Sequence, residues 1–317
     1  MKIIVTGCAG FIGMHLSQKL LKRHQVVGID NLNNYYDTAL KKNRIKILKK
    51  NKNFLFYKSN INNNKKLSNI FKNIKPSIVI HLASEVGVRN SSKRPRSYAN
   101  TNILGFLNIL ENCKNYNVDK LFYASSSSVY GDNKNEFREN LNTDNPLSIY
   151  AASKKASEIL AAAYSHLYKF SITGLRFFTV YGPYGRPDMA IYKFTDSIYK
   201  KKPITVYGLG KLERDFTYIG DVVFYINKLL NKRLTKHNIF NIGNTKPVKV
   251  IKLISYLEET IGIKAKINFL KTPKTEVYKT CANISKLKNK CSSKKNTSIK
   301  VGIYNFIKWY KSYKLKK

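Results

Sequence analysis

The first half of the chain alternates short apolar runs with stretches of helical periodicity, and this alternation constrains the fold more than any other feature. The apolar runs predict β-strands at 2–5, 26–29, 54–57, 78–82, 121–125 and 172–176, and helical periodicity predicts helices at 13–23, 98–115 and 150–168. Strands that alternate with helices form βαβ units, which assemble into a parallel sheet with helices on both faces. We therefore predict an α/β fold with a doubly wound parallel sheet, in which ligands bind beyond the carboxyl ends of the strands.

The regular alternation of strands and helices ends in the second half of the chain, which predicts a smaller lobe. After residue 176 comes a loop rich in glycine and proline, 181–187, followed by helix, strand and helix of mixed character. A helix at 221–230 and a strand at 239–242 are expected to return to the first sheet. We therefore divide the 317 residues into a sheet domain, 1–178 with 219–244, and a C-terminal lobe, 179–218 with 245–317.

The chain is strongly basic, with 58 Lys and Arg against 18 Asp and Glu and a formal net charge of +40. Such a balance by itself suggests nucleic acid or an anionic membrane as a partner. However, the excess consists of 48 Lys and 10 Arg, spread over the whole chain together with 34 Asn. Proteins that read nucleic acids usually concentrate Arg, whose fork fits phosphates and guanine edges. We therefore interpret the charge as solvated surface and predict no nucleic-acid partner.

Neither a membrane segment nor a metal site is predicted. The longest apolar runs fall well short of the ~20 residues that a transmembrane helix needs. The apolar run 3–5, which follows Met1-Lys2 directly, is too short for the core of a signal peptide. The cysteines form no CxxC pair and have no metal-ligand spacing with the histidines; they are Cys8, Cys113, Cys281 and Cys291. We expect reduced thiols, no metal, no membrane partner and a cytoplasmic location.

Three glycines directly follow the first predicted strand and open the first helix. Gly7 permits a tight turn, Gly10 lets the backbone approach a pyrophosphate, and Gly13 lets helix and strand pack closely. The helix N-terminus, with Phe11 and Ile12, would then offer free N–H groups and a favourable dipole to the phosphates. The spacing GxxGxxG differs from the GxGxxG of the dinucleotide fingerprint, and a plain glycine turn would show the same pattern.

An acidic residue, Asp30, ends the second predicted strand, 17 residues after Gly13. A carboxylate at this position can accept hydrogen bonds from the ribose diol of an adenosine. It also repels a 2′-phosphate, and the segment 31–33 contains no arginine to offset that repulsion. Together with the glycine loop, Asp30 predicts a Rossmann-type domain that binds NAD in preference to NADP.

Tyr150 and Lys154 are four residues apart at the start of a predicted helix, so both project from one face. An ammonium beside the phenol favours the phenolate and is expected to lower the pKa of Tyr150. Upstream, four serines at 125–128 end the fifth predicted strand, and four hydroxyls there cannot all be buried without partners. One of them could relay a proton from a sugar hydroxyl to Tyr150. Taken singly, these patterns also fit a chance helical pair and a locally capped strand end.

These motifs together resemble the extended short-chain dehydrogenase/reductases that act on nucleotide sugars, a group within the NAD-dependent epimerase/dehydratases. The shared elements are TGxxGxxG, the acidic end of the second strand, the serine run before 129–131, and YxxxK. The resemblance covers nearly the whole chain. Longer blocks are similar to UDP-glucuronate 4-epimerases in particular, namely 30–37, 81–89, 175–189, 214–219 and 241–244.

The resemblance implies a role for each matching residue. Tyr150 corresponds to the base, Lys154 to its electrostatic partner and a cofactor ligand, and Ser126 to the proton relay. Arg186 and Arg214 correspond to the arginines that hold the nucleotide diphosphate, where a bidentate guanidinium suits phosphate. The remaining implied contacts are Asn31, Asn60, Ile61, Leu82 and Ala83 for NAD and Arg89 for the substrate.

The reaction implied by the resemblance is 4-epimerisation of a UDP-sugar, most specifically UDP-glucuronate to UDP-galacturonate, through a transient 4-keto intermediate. A 4-keto uronate is a β-keto acid and can lose CO₂, so the site must fix its carboxylate. We hypothesise that Ser127, Ser128 and Thr179 bind this carboxylate, with Arg186 near them.

Three other functions stay open at this point. Two are enzymes, a UDP-glucose/UDP-galactose 4-epimerase and a UDP-glucuronate decarboxylase, and the third is a non-catalytic Rossmann-type protein that senses NAD. The resemblance also implies that the C-terminal lobe binds the nucleotide sugar. It further suggests a homodimer formed through helices of the Rossmann domain.

Overall fold

Strands and helices alternate along the computed structural model, which describes residues 1–133, 136–234, 236–273, 277–292 and 294–315. The strands are β1 (Lys2–Thr6), β2 (Gln25–Asp30), β3 (Phe54–Lys58), β4 (Ile78–His81), β5 (Lys120–Ser126), β6 (Ser171–Phe177), β7 (Thr179–Tyr181), β8 (Ile204–Tyr207), β9 (Glu213–Tyr218), β10 (His237–Ile242), β11 (Pro247–Lys249) and β12 (Ile267–Leu270). The α-helices are α1 (Phe11–Leu20), α2 (Thr38–Leu48), α3 (Asn64–Ile74), α4 (Val88–Ser91), α5 (Pro95–Tyr98), α6 (Gly105–Asn115), α7 (Ile149–Tyr168), α8 (Ala190–Tyr199), α9 (Ile219–Leu230), α10 (Val250–Ile261), α11 (Ser285–Lys290) and α12 (Ile299–Tyr310).

Within the described part of the chain, seven parallel strands form one sheet in the order β3-β2-β1-β4-β5-β6-β10. The strand order reverses direction between β1 and β4, which is the topological switch point of a doubly wound sheet. The predicted α/β class with a Rossmann-type parallel sheet is therefore confirmed. Strand β10 pairs with β6, so the chain returns to this sheet after α9. The intervening and following strands form two small sheets, β11-β9-β7 and β12-β8.

Helices cover both faces of the large sheet, so its strands are apolar on both sides. Successive residues of a strand point toward opposite faces. Ile3 and Val5 of β1 belong to the apolar cluster that includes residues of α1 and α9. Ile4, between them, belongs to the cluster on the other face, which includes residues of α3 and α6. A third cluster, with Leu253 of α10 and Phe306 of α12 at its centre, forms the core of the smaller lobe.

The helix predicted over 98–115 is interrupted. A π-helical segment, Ala99–Leu104, lies between α5 and α6. This wider segment contains Asn102, whose side-chain amide donates to the carbonyl of Glu85 at 3.1 Å. Hydrophobic periodicity does not reveal such an insertion, and π-helical turns of this kind are frequent near functional sites.

The described ranges contain neither a membrane-spanning helix nor a metal-binding cluster. No helix there is long and apolar enough to cross a bilayer. No group of three or more His, Cys, Asp and Glu side chains in those ranges is arranged to hold a metal ion. The four cysteines are free thiols.

Candidate active site

The carboxyl ends of the central strands border one cleft, which contains a cavity of about 420 Å³. It brings together all the residues predicted for NAD and for proton transfer: Gly7, Gly10, Phe11, Ile12, Gly13, Asp30, Asn31, Asn60, Ile61, Leu82, Ala83, Ser126, Tyr150 and Lys154. The same cavity is also lined by the residues predicted for the substrate, apart from Arg89: Ser127, Ser128, Thr179, Arg186 and Arg214. A single cavity thus joins a dinucleotide loop, a tyrosine–lysine pair and two arginines.

The glycine loop is packed so closely that it excludes side chains. Gly7 has a φ of +71°, and a Cβ there would lie 2.7 Å from the backbone of both Leu82 and Ala83. A Cβ on Gly13 would overlap the carbonyl of Gly7. Helix α1 begins directly after Gly10, so its first N–H groups, which have no partners within the helix, border the cavity. This arrangement fits the phosphates of a dinucleotide.

Asp30 ties the glycine loop to the segment that follows β2. Its carboxylate accepts hydrogen bonds from the backbone N–H of Ala9 at 3.0 Å and of Leu32 at 2.8 Å. Burial raises the pKa of Asp30, and these hydrogen bonds together with Lys41 and Arg44 oppose the rise. A carboxylate has about four acceptor positions, so two of them stay available for a ribose diol.

Tyr150 and Lys154 lie in the first turns of α7. The helix is capped by Ser148, whose hydroxyl accepts from the N–H of Ala151 at 3.1 Å. The Nζ atom of Lys154 donates to the carbonyl of Ala124 in β5 at 2.8 Å and lies 5.9 Å from the centre of the Tyr150 ring. This hydrogen bond fixes the lysine between the helix and the strand whose end carries the serines.

The expected lowering of the Tyr150 pKa is wrong for this structure. Burial raises the pKa of Tyr150, while the nearby Ser126 hydroxyl and the positive charge of Arg186 act in the lowering direction. Burial also lowers the pKa of Lys154 from its ordinary value of 10.5 to about 7. The sequence argument considered the attraction between the two groups but not the loss of water around both, which opposes ionisation of each.

The four serines at 125–128 have different environments. Ser125 is buried and donates to the carboxylate of Glu158 at 2.6 Å. Ser126 lines the cavity with Tyr150 and acts on the pKa of its phenol, and the Ser126 hydroxyl donates to that of Ser128 at 3.2 Å. Ser127 and Ser128 begin a 3₁₀ turn and line the cavity. Ser126 is therefore the serine of this run that acts on the pKa of Tyr150.

Of the three arginines predicted to bind the substrate, two line the cavity and one does not. Arg186 forms a bidentate ion pair with Asp188 and lines the cavity. Arg214 lines the cavity and donates to the carbonyl of Glu213 at 2.8 Å. Arg89 is not among the described residues that line the cavity. It is exposed on α4, with its guanidinium 4.3 Å from the centre of the Tyr207 ring, so its contact with substrate stays a prediction.

The chain matches the model of the NAD dependent epimerase/dehydratase family over residues 3–243. It belongs to that family. It is 43% identical to Protein CapI of Staphylococcus aureus over 99% of both chains. It is 44% identical to the UDP-glucuronate 4-epimerase of Thermodesulfobacterium geofontis, over 97% of this chain and 95% of the relative. The crystal structure of the Bacillus cereus UDP-glucuronic acid 4-epimerase in complex with UDP-glucuronic acid and NAD is similar, with a TM-score of 0.94 and 37% identity, over 98% of this chain and 99% of that one.

The comparisons confirm the resemblance to UDP-glucuronate 4-epimerases. The similarity to those relatives extends over both lobes, so it includes the loop with Arg186 as well as the glycine loop. Two observations therefore characterise the cleft of this epimerase/dehydratase family member. The chain is similar to UDP-glucuronate 4-epimerases along its whole length, and its own residues form the cavity.

Sequence reasoning missed Asn102. Its buried side chain accepts from the N–H of Glu85 at 2.8 Å and from the hydroxyl of Ser84 at 3.0 Å, and donates to the hydroxyl of Ser153 at 2.9 Å. Asn102 therefore connects the loop after β4 with the helix that carries Tyr150. One asparagine among 34 offered no signal before the fold was known.

Sequence reasoning also missed a buried ion pair behind the serine run. Arg176 donates from Nε and Nη2 to the two carboxylate oxygens of Glu158, both at 2.8 Å. Glu158 is one turn of α7 beyond Lys154 and also binds Ser125, so the pair connects α7, β5 and β6. The spacing of Glu158 from Lys154 could have indicated that both residues share one helix face.

Proposed function

We propose that this protein is an NAD-dependent 4-epimerase that interconverts UDP-glucuronate and UDP-galacturonate through a 4-keto intermediate. The observation that carries the proposal is the shared cavity, which is lined by the glycine loop, by Ser126, Tyr150 and Lys154, and by Arg186. The names of the similar proteins, which include UDP-glucuronate 4-epimerases from a bacterium and from Arabidopsis thaliana, support the choice of sugar.

NAD fits the part of the cavity that is lined by the glycine loop and Asp30. The glycine loop holds the pyrophosphate of NAD at the N-terminus of α1, and Asp30 binds the adenosine ribose. When bound, NAD supplies the hydride acceptor and donor for C4 of the sugar. The protein contributes binding, orientation and control of the proton.

Tyr150 controls the proton of the sugar 4-hydroxyl. It accepts this proton when C4 is oxidised and returns it when C4 is reduced from the other face, with Ser126 as the relay between the sugar and the phenol. Because burial disfavours the phenolate, a positive charge close to it is needed in the reactive state. Lys154, held by the carbonyl of Ala124, supplies that charge when protonated.

The arginines and hydroxyls hold the rest of the substrate. Arg186 and Arg214 bind the diphosphate and so hold the nucleotide in place. The 4-keto sugar, which is planar at C4, rotates in the cavity and presents the other face of C4 for reduction. Ser127, Ser128 and Thr179 bind the carboxylate of the uronate and keep it away from the geometry that releases CO₂. In this proposal residues 1–178 with 219–244 bind NAD, and 179–218 with 245–317 bind the nucleotide sugar.

We also propose a homodimer in the cytoplasm, where the four free thiols stay reduced. Its interface is a surface on the Rossmann helices formed by Leu104, Ile159 and Leu167, which are 55%, 58% and 63% exposed. Ile159 and Leu167 are two turns apart on α7 and share one face. An exposed apolar face of this kind is typical of a contact between subunits.

Incubation with UDP-glucuronate and, separately, with UDP-glucose tests the function. We expect UDP-galacturonate to form from UDP-glucuronate, with the products separated by chromatography. Tyr150→Phe is expected to lower kcat by about 10²–10⁴-fold while UDP still binds, because only the proton acceptor is lost. Turnover of UDP-glucose alone would contradict the uronate assignment, and full activity of Tyr150→Phe would contradict the mechanism.

A further inference from the structure

Three consecutive backbone carbonyls, at 183–185, are bound by side chains from the first two helices of the chain. His15 on α1 donates from Nε2 to the first of them at 2.8 Å. Arg44 on α2 donates from Nη2 to the second at 2.7 Å and to the third at 3.4 Å. The next residue along the chain is Arg186, so these hydrogen bonds set the position from which its side chain enters the cavity.

The other nitrogen of the same guanidinium binds the cofactor side of the cleft. Nη1 of Arg44 donates to the carbonyl of Ala9, inside the glycine loop, at 2.8 Å. It also donates at 2.6 Å to the hydroxyl of Tyr36, which lies in the segment after β2. One planar group therefore spans the dinucleotide loop and the segment that carries Arg186.

Arg44 carries its positive charge in the interior of the protein, where no charged group of the described residues accepts a hydrogen bond from it. The side chain is completely buried, and its hydrogen-bond acceptors are three backbone carbonyls and one phenol oxygen, all of them neutral. The nearby carboxylate of Asp30, whose pKa the charge of Arg44 helps to lower, is not one of these acceptors. A buried cation among neutral acceptors is costly to desolvate. A dinucleotide diphosphate bound at the glycine loop would add negative charge to that of Asp30 and further offset the cost of burying the Arg44 cation.

His15 is suited to the same task. Burial lowers its pKa to about 4, so the imidazole is neutral near pH 7. Its partner is a carbonyl oxygen, which only accepts, so the proton of the neutral ring is on Nε2. The residue thus links α1, whose N-terminus faces the phosphates, to the same 183–185 segment.

We propose that Arg44, assisted by His15, is a positioning residue that couples the dinucleotide site to the diphosphate-binding Arg186. The proposal rests on the proposed function and adds a connection between its two binding sites. Arg44 does not line the cavity; it acts by holding the glycine loop and the 183–185 segment at a constant separation. Disturbing it displaces Arg186 and weakens both binding sites, while the proton-transfer residues stay in place.

The first test is Arg44→Lys in the NAD-loaded protein. Lysine keeps the positive charge but lacks the planar fork that binds two separate segments at once. We expect KM for the UDP-sugar and Kd for UDP to rise about tenfold, kcat to change by less than about twofold, and NAD to dissociate faster on dialysis. Arg23→Lys, an exposed arginine after the end of α1, is the matched control and should leave all four quantities unchanged.

The second variant is His15→Phe, which keeps an aromatic ring in place and removes a single hydrogen bond. We expect His15→Phe to raise KM for the UDP-sugar by about threefold. If Arg44→Lys does not fold, this variant tests the proposed coupling in its place. An unchanged Kd for UDP, or a fall in kcat at constant KM, would overturn the proposal while leaving the epimerase assignment intact. A wild-type protein that binds neither NAD nor UDP would refute the proposed function and this inference with it.

Discussion

Arg186 and Asp188, two residues apart on one loop, form a bidentate ion pair at the edge of the cleft. Nε of the arginine donates to Oδ1 at 3.0 Å, and Nη2 donates to Oδ2. Both side chains are partly buried, and the hydroxyl of Tyr35 also donates to Oδ2, at 3.3 Å. A guanidinium held along one edge presents its remaining N–H groups in a fixed direction, which is what recognition of a diphosphate requires.

Asp188→Asn tests this orientation. The amide keeps the size of the side chain but offers only one acceptor oxygen and no charge, so the guanidinium becomes free to rotate. We expect KM for the UDP-sugar to rise about tenfold with little change in kcat, as measured by steady-state kinetics and by titration with UDP. Asp144→Asn, at an exposed carboxylate paired with Lys155, is the control. Equal KM values for the two variants would contradict the assignment.

Lys154 makes the stability of the protein depend on pH. Burial lowers its pKa from 10.5 to about 7, so between these values the unfolded chain binds more protons than the folded protein. The cost of keeping Lys154 buried is therefore fully present below about pH 7 and decreases as the pH rises toward 10.5. The melting temperature of Lys154→Met, relative to wild type, should be highest at pH 6 and fall steadily up to pH 10. The exposed Lys264→Met serves as control, and a difference independent of pH would refute the prediction.

Thr179 tests the site proposed for the carboxylate. A hydrogen bond to a charged group contributes about 1.5–3 kcal/mol, so Thr179→Ala should lower kcat/KM for UDP-glucuronate by about tenfold or more. The same change should increase the release of CO₂ and the formation of a UDP-pentose product. Thr179→Ser, which keeps the hydroxyl, should restore both quantities. If Thr179→Ala and Ser128→Ala leave turnover and CO₂ release unchanged, the proposed carboxylate site is wrong.

Glu158 tests the buried ion pair behind the serine run. Its side chain and that of Arg176 are only 4% and 3% exposed. Removing one partner of a buried pair leaves the other charge uncompensated, so Glu158→Gln should lower the free energy of unfolding by about 3–5 kcal/mol. The exposed pair of Glu259 with Lys300 provides the control, since Glu259→Gln should cost less than about 1 kcal/mol. Urea unfolding followed by circular dichroism measures both, and equal losses would contradict the prediction.

The exposed apolar surface on α7 tests the proposed dimer. Ile159→Lys and Leu167→Lys place charges on the surface that we assign to the subunit contact. Each variant should elute as a monomer in size-exclusion chromatography at a concentration at which the wild type is a dimer. Val301→Lys, on the exposed face of α12, should not change the elution. A monomeric wild type would refute the proposed interface.

Features with local causes could be predicted from the sequence. Strands β1 to β6 lie within about one residue of the predicted runs, because an apolar run bounded by polar residues is itself the reason that a buried strand forms there. The glycine loop and the Tyr150–Lys154 pair lie in the cleft for similarly local reasons: close backbone packing and a four-residue helical spacing. Family resemblance then assigned chemistry to residues that spacing alone left ambiguous.

The sequence by itself therefore determined the α/β class, the carboxyl edge where the cleft forms, and the residue types present at it. The tertiary structure alone decided which distant polar groups meet, such as Arg44 with the carbonyls of Tyr184 and Gly185, and Asn102 with Glu85. It also decided the direction of the Tyr150 pKa, because loss of solvent depends on everything packed around a group. Periodicity describes only near neighbours along the chain, whereas burial and long-range hydrogen bonds depend on segments that come together only in the folded protein.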